Sequence, residues 1–155
     1  MANPMSVRQT KKAFTLIEML VVIAILSILI SLIAFTSRWA LDWARASATE
    51  AMIAGLESAL EMYQHDLGTY PASGNANLVT GLADVAAHAG NTAWNGPYMN
   101  FRAQDLQGGQ VIDGWKNAYH YTFVVAANPP VRIWSNGPDK VDNNGAGDDI
   151  KSKGW

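Results

Sequence analysis

The sequence predicts an α+β fold, with one long N-terminal α-helix packed on a small antiparallel β-sheet and the first half of that helix membrane-spanning. Three observations carry this reading. Phe14 to Phe35 is an apolar run of 22 residues whose only charged member is Glu18. Apolar residues then recur at steps of three and four as far as Leu67. Tyr119, Tyr121 and Phe123 alternate with small or polar neighbours, and a second apolar stretch, Val131 to Ser135, follows the Asn128-Pro129-Pro130 turn.

The apolar run is long enough to matter on its own. At about 1.5 Å per residue, 22 helical residues cover about 33 Å, against a hydrocarbon core of about 30 Å. A buried helix of a soluble protein is the alternative, and a run of 22 residues apolar on every face argues against it. A secretory signal peptide has a shorter apolar region and a small-residue cleavage site after it. Here the following stretch carries Arg38, Trp39, Asp42 and Arg45 and keeps a helical pattern. Arg8, Lys11 and Lys12 precede the run with no acidic residue among them. By the positive-inside rule they hold the N-terminus in the cytoplasm and send the rest of the chain across the membrane.

Beyond it, Leu41, Ala44, Ala48, Met52, Leu56, Leu60, Tyr63 and Leu67 form one stripe, with Arg45, Thr49, Glu57, Glu61 and Gln64 off it. The pattern predicts one helix from Phe14 to about Asp66, roughly 80 Å long. Gly68 is placed to cap it and Pro71 to prevent its resumption. Leu78, Leu82, Val85, Ala86 and Ala89 predict a second helix over 78–89, ended by Gly90. Val111-Ile112, 118–126 and 131–135 are the predicted strands. Trp94, Trp115 and Trp134 are expected in the small core, and Trp39 and Trp43 at the membrane interface or between subunits.

Composition excludes several classes. The chain has 155 residues, room for one domain, with 11 Lys and Arg against 13 Asp and Glu. A net charge of -2 with scattered cations gives no nucleic-acid surface. There is no cysteine, hence no disulfide, thiolate metal site or Cys nucleophile. His65, His88 and His120 lack metal-ligand spacing, and no nucleophile or phosphate-loop motif occurs. The chain reads as structural, not enzymatic.

Glu18 is the informative residue of the run, because an ionised carboxylate inside a membrane helix needs a cationic partner. No Lys or Arg lies between 13 and 37. An α-amino group on a neighbouring subunit would serve if the chain were cut before Phe14. The residues Lys11-Lys12-Ala13-Phe14-Thr15-Leu16-Ile17-Glu18, followed by uncharged apolar residues, resemble the signal of type IV pilins and type II secretion pseudopilins. That resemblance implies cleavage between Ala13 and Phe14 by a prepilin peptidase, N-methylation of Phe14, and pairing of Glu18 with that amine in a filament. Ala13 stands where the family almost always has Gly, and Phe35 where many relatives have Pro.

The remainder adds to the resemblance. Tyr63 to Pro71, Asn95-Gly96-Pro97-Tyr98 and Asp113-Gly114-Trp115-Lys116-Asn117-Ala118-Tyr119 are similar to segments of the major pseudopilin of type II secretion, with Gly114 in place of Pro and Lys116 in place of Gly. The resemblance implies a pilin-like arrangement: a leader peptide (1–13), a transmembrane and filament-core helix (14–35) and a periplasmic domain (36–155). That domain divides into an amphipathic helix half (36–66), a loop and short helix (67–110) and a small sheet with an acidic loop (111–155). The implied function is a subunit of the pseudopilus that drives proteins across the outer membrane. The implied partners are copies of itself, the peptidase, the assembly platform and the minor pseudopilins, in a bacterial inner membrane. A type IV pilin of adhesion, motility or DNA uptake, and a membrane-anchored binding protein that never polymerises, are the alternatives.

Asp139, Asp142, Asp148 and Asp149 fall within eleven residues, with Asn136, Asn143 and Asn144 among them. So many carboxylates repel one another unless a cation intervenes, and calcium takes six to eight such oxygens. The spacing is not that of an EF-hand, and a solvated acidic tail is the alternative. The resemblance favours calcium, with Asp139 and Asp148 as carboxylate ligands and Ser135 and Asp149 near them. Asp142 is either an added ligand or a bystander.

Overall fold

The computed structural model describes residues 14–154. The predicted leader, Ala13 included, and Trp155 lie outside them. Helix α1 runs from Leu16 to Leu67, 52 residues, as the two apolar patterns require. Its end has the expected physical cause. Gly68 adopts a left-handed φ of 72° and its N–H donates to Gln64 O at 2.8 Å.

Two compact units divide at Ala40 and Leu41. In the first, every described side chain is exposed. The helix here is apolar and long enough to cross a membrane. Ser27 and Ser31 satisfy their hydroxyls within the helix: Ser27 donates to Ile23 O and Ser31 to Ile28 O.

The second unit holds the core. Ile53, Leu56, Ala59, Leu60 and Tyr63 line one face of α1 and pack with Leu78, Leu82, Val111, Tyr119, Tyr121 and Ile133. Each fully buried leucine contributes about 1.5–3 kcal/mol relative to exposure. Leu56, Leu60 and Tyr63 of the predicted stripe are buried and Met52 and Leu67 pack against them, so the stripe departs only at its N-terminal end. Leu41, Ala44 and Ala48 are exposed, whereas Thr49 is buried. Thr49 tolerates this because its hydroxyl accepts the Gly114 N–H at 3.4 Å. Gly55 faces the Met99 methyl, where a Cβ would make ordinary contact.

Helix α2 spans Asn75–Ala83, earlier and shorter than the predicted 78–89. Asp84 ends it by accepting the N–H groups of Ala86 and Ala87 and turning the chain. A 3-10 turn, Ala103–Asp105, leads into the hairpin of β1 (Leu106–Gln107) and β2 (Gln110–Val111). A second sheet has the order β3-β4-β5, all antiparallel, from His120–Phe123, Val131–Ser135 and Ile150–Lys151. β3 is thus shorter than the predicted 118–126. β1 and β5, two residues each, are too short to show periodicity in sequence. The outer edge of β3 is covered by the chain entering α2: Gly74 N donates to Tyr121 O, while Ser73 Oγ donates to Phe123 O and accepts Phe123 N–H. This blunts an edge that would otherwise invite pairing.

Asn75, 6% exposed, ties the two sheets together. Its amide nitrogen donates to Val111 O (2.9 Å) and Tyr119 O (2.7 Å), and its oxygen accepts Val111 N–H at 2.7 Å. Trp115 and Trp134 are buried as expected and Trp94 is half-buried; Trp39 and Trp43 are 76% and 67% exposed.

Candidate assembly and metal sites

At the start of α1, Thr15 and Glu18 form a capping box. Glu18 Oε2 accepts the Thr15 N–H at 2.8 Å and the Thr15 hydroxyl at 2.7 Å, and Thr15 Oγ1 accepts Glu18 N–H at 3.4 Å. The carboxylate is folded back towards the residue that follows Phe14, whose side chain is exposed. Within a single chain Glu18 therefore has neutral donors but no cation among the described residues.

The acidic loop spans 136–149, between β4 and β5. Its base is organised by Asp113, a residue that sequence reasoning assigned no role. Asp113 is 4% exposed and accepts four hydrogen bonds. The donors are Trp115 N, Asn117 N, Asn117 Nδ2 and the hydroxyl of Ser135, the last at 2.5 Å. Ser135 Oγ in turn accepts Gly137 N–H, and Asn117 Nδ2 also reaches Gly137 O. The Ser135 hydroxyl is thus committed to the loop's foundation. In the sequence, residues 113–117 are marked by the resemblance of their segment alone, which gives Asp113 no role.

The 113–117 turn also locks onto α1. Trp115 Nε1 donates to Asp42 at 3.2 Å. A Cβ on Gly114 would come within 2.8 Å of the Arg45 Cβ, so glycine permits the approach. A proline at this position would lack the N–H that meets Thr49. Lys116 sits at φ 71°, where glycine is at ease and lysine is strained. Lys116→Gly is expected to raise the unfolding free energy by about 1 kcal/mol. A thermal melt with an unchanged or lower midpoint would contradict this.

Within the loop, Asp139 N–H donates to Asp148 Oδ2 at 3.2 Å, and Val141 N–H to Asp139 Oδ1 at 2.7 Å. Asp149 Oδ2 accepts Asn143 N–H and Gly145 N–H. Its Oδ1 is buried with no hydrogen-bond donor. Gly137, at φ 63°, approaches Asp148 so closely that a Cβ would lie 2.3 Å from the Asp148 carbonyl oxygen. Asp142 points elsewhere, towards Trp134, Asn144 and His120. Its carboxyl is held below the usual range, first by the Trp134 indole N–H and then by the Asn144 N–H.

Among the described residues, no three carboxylate or imidazole side chains converge as a ready metal cluster. The donor set nonetheless fits a hard cation. It is all oxygen, Asp139, Asp148 and Asp149 lie in one loop, and one buried Asp149 carboxylate oxygen lacks a donor. Asp139, Asp148 and Asp149 are the residues able to hold it.

Residues 8–34 match the prokaryotic N-terminal methylation motif, and residues 39–153 match the family described as type II secretion system (T2SS), protein G. The type II secretion system core protein G of Klebsiella michiganensis is 42% identical over 64 residues, 41% of this chain. That alignment spans 45% of the relative's length. The crystal structure of the major pseudopilin from the type 2 secretion system of enterohaemorrhagic Escherichia coli is 24% identical, with a TM-score of 0.44, over 72% of this chain and 88% of that one. The protein G match covers most of the chain and adjoins the methylation signal. The chain belongs to the type II secretion system protein G family, and among its described residues one N-terminal helix is long and apolar enough to cross a membrane.

Proposed function

We propose that the chain is a structural subunit of the type II secretion pseudopilus. One observation carries this: a processing signal at 8–34 and a protein G domain at 39–153 occupy one continuous chain. In this reading, Arg8, Lys11 and Lys12 hold the leader in the cytoplasm, and the domain lies in the periplasm. A prepilin peptidase cuts between Ala13 and Phe14, and the new amine is methylated. The assembly platform then adds the subunit to a homopolymer below minor pseudopilins. In the filament the apolar faces of α1 exchange lipid for one another. Glu18 turns from Thr15 towards the amine of a neighbour's Phe14, which sets the axial register.

Mass spectrometry of protein from peptidase-competent cells tests this. The N-terminus is expected at Phe14 with one added methyl. An intact Met1 start in such cells would remove the filament reading. Ala13→Gly is expected to be cut at least as fast as the parent chain.

The acidic loop is proposed to take calcium through Asp139, Asp148 and Asp149. When bound, the ion supplies charge neutralisation among these carboxylates. The residues supply the geometry, with Asp113 and Ser135 holding the base and Gly137 admitting the close backbone approach. A ligand that binds only the folded state adds RT ln(1 + [L]/Kd), about 2.7 kcal/mol at a hundredfold excess over Kd. Thermal melts of the full chain in detergent are expected to rise on adding calcium and to fall on chelation. Asp139→Ala or Asp148→Ala should remove most of the increment. Magnesium should substitute poorly, because it demands a tight octahedron and holds its waters. Equal, weak responses to both ions would identify a solvated acidic loop instead.

A further inference from the structure

Asp142 belongs to the acidic loop by sequence and to the sheet by geometry. His120 on β3 and Trp134 on β4 are direct register partners. Their rings stack at 4.8 Å between centroids, only 9° from parallel. Asp142 lies against the edge of this stack. Its Oδ1 accepts the Trp134 indole N–H at 2.9 Å, and its Oδ2 lies 3.8 Å from His120 Nδ1. The same Oδ1 accepts Asn144 N–H at 2.9 Å, which turns the chain back towards Asp148 and Asp149. Oδ1 is thereby held by two protein donors, and Oδ2 faces the His120 ring.

We infer that Asp142 is a positioning residue which latches the middle of the acidic loop to the Trp134–His120 stack, and is not itself a ligand. The functional half of this inference rests on the calcium reading of the loop. Loop 136–149 leaves β4 after Ser135 and rejoins at Ile150 on β5. Those ends are already fastened by the strand pairing of Ser135 with Ile150. A third attachment at Asp142 divides the loop into two shorter spans, each with fewer conformations to lose. It holds Asp139 on one span and Asp148 and Asp149 on the other before any ion arrives. An ion meeting a loop so ordered is spared the cost of ordering it. Trp134 suits the task because stacking on His120 and pairing with Lys151 fix the direction of its N–H.

The experiment uses the full chain in detergent micelles, with the calcium ion as probe. The Trp134 indole resonance in a proton–nitrogen correlation spectrum is identified by its loss in Trp134→Phe. That resonance is expected to move upfield in Asp142→Ala and to stay near its parent position in Asp142→Asn, which keeps an acceptor for the indole. Calcium affinity by calorimetry is expected to fall about threefold to tenfold in both Trp134→Phe and Asp142→Ala, the range of one net hydrogen bond. Asp142→Asn is expected to retain most of the affinity, and the double variant to be no weaker than the weaker single one. An indole resonance unmoved by Asp142→Ala would overturn the latch. So would a loss of many orders in both Asp142 variants with none in Trp134→Phe, which would make Asp142 a ligand. If the parent chain takes up no calcium, the metal reading falls by itself. The latch is then decided by the indole shift alone, in either direction.

Discussion

Asn75→Ala is expected to lower the unfolding free energy by about 3 kcal/mol and the melting midpoint by more than ten degrees. The side chain is buried and makes three hydrogen bonds to the backbone of β2 and of the residue before β3. Val111 O keeps a second donor in Tyr119 N after the substitution. Val111 N–H and Tyr119 O do not, and a buried group left unpaired costs about 1–3 kcal/mol. A domain of this size has about 5–15 kcal/mol in all. Asn75→Asp separates the causes. It preserves an acceptor for Val111 N–H but sets a carboxylate oxygen against two carbonyls, so it should be at least as damaging as alanine. A loss below half a kcal/mol in Asn75→Ala would show that the two sheets do not depend on this bridge.

The second large effect concerns assembly. Glu18→Ala is expected to insert and to be processed normally, because removing a charge eases membrane insertion. The capping box loses its acidic half, which affects only the first turn of α1. Filament yield should nevertheless fall by more than about tenfold. Removing one partner of a desolvated charge pair costs several kcal/mol, much of it from the charge left behind on the incoming amine. The sheared filament fraction, compared with the membrane-bound pool, measures this. Normal yield would dismiss register by charge pairing while leaving the subunit reading intact. Defective processing would place the role of Glu18 earlier, at the peptidase.

These two residues mark what sequence reveals and what it does not. Glu18 stands out because its surroundings are uniformly apolar, and its anomaly is local. The cap at Gly68 and the run of α1 are legible for the same reason, since helix signals act over a few residues. Asn75 and Asp113 are ordinary residues in polar stretches until folding brings them to partners 36, 44 and 22 positions away. No periodicity announces such contacts. The burial of Thr49 is missed for a related reason: hydropathy places it outside the stripe that Leu56, Leu60 and Tyr63 share, and the distant Gly114 N–H makes its burial tolerable. In the acidic loop, composition identifies the carboxylates. It says nothing of direction, and direction is what separates Asp142, against an indole, from Asp149, with a bare buried oxygen.

The fastening of that loop by carboxylates has a chemical consequence. With no cysteine in the chain, closing the segment between β4 and β5 asks for no oxidant, no disulfide exchange and no isomerase. The folded domain should pass through dithiothreitol unchanged, whereas a cystine-closed loop would open. Its vulnerability lies in acid instead. Asp142 has a depressed pKa in the folded chain, so its contribution is fully present above the ordinary carboxylate range. It is lost as pH falls through the lower folded value. The attachment at Asp142 is therefore indifferent to the redox state of its compartment and is expected to weaken in acid, reversibly and without covalent change.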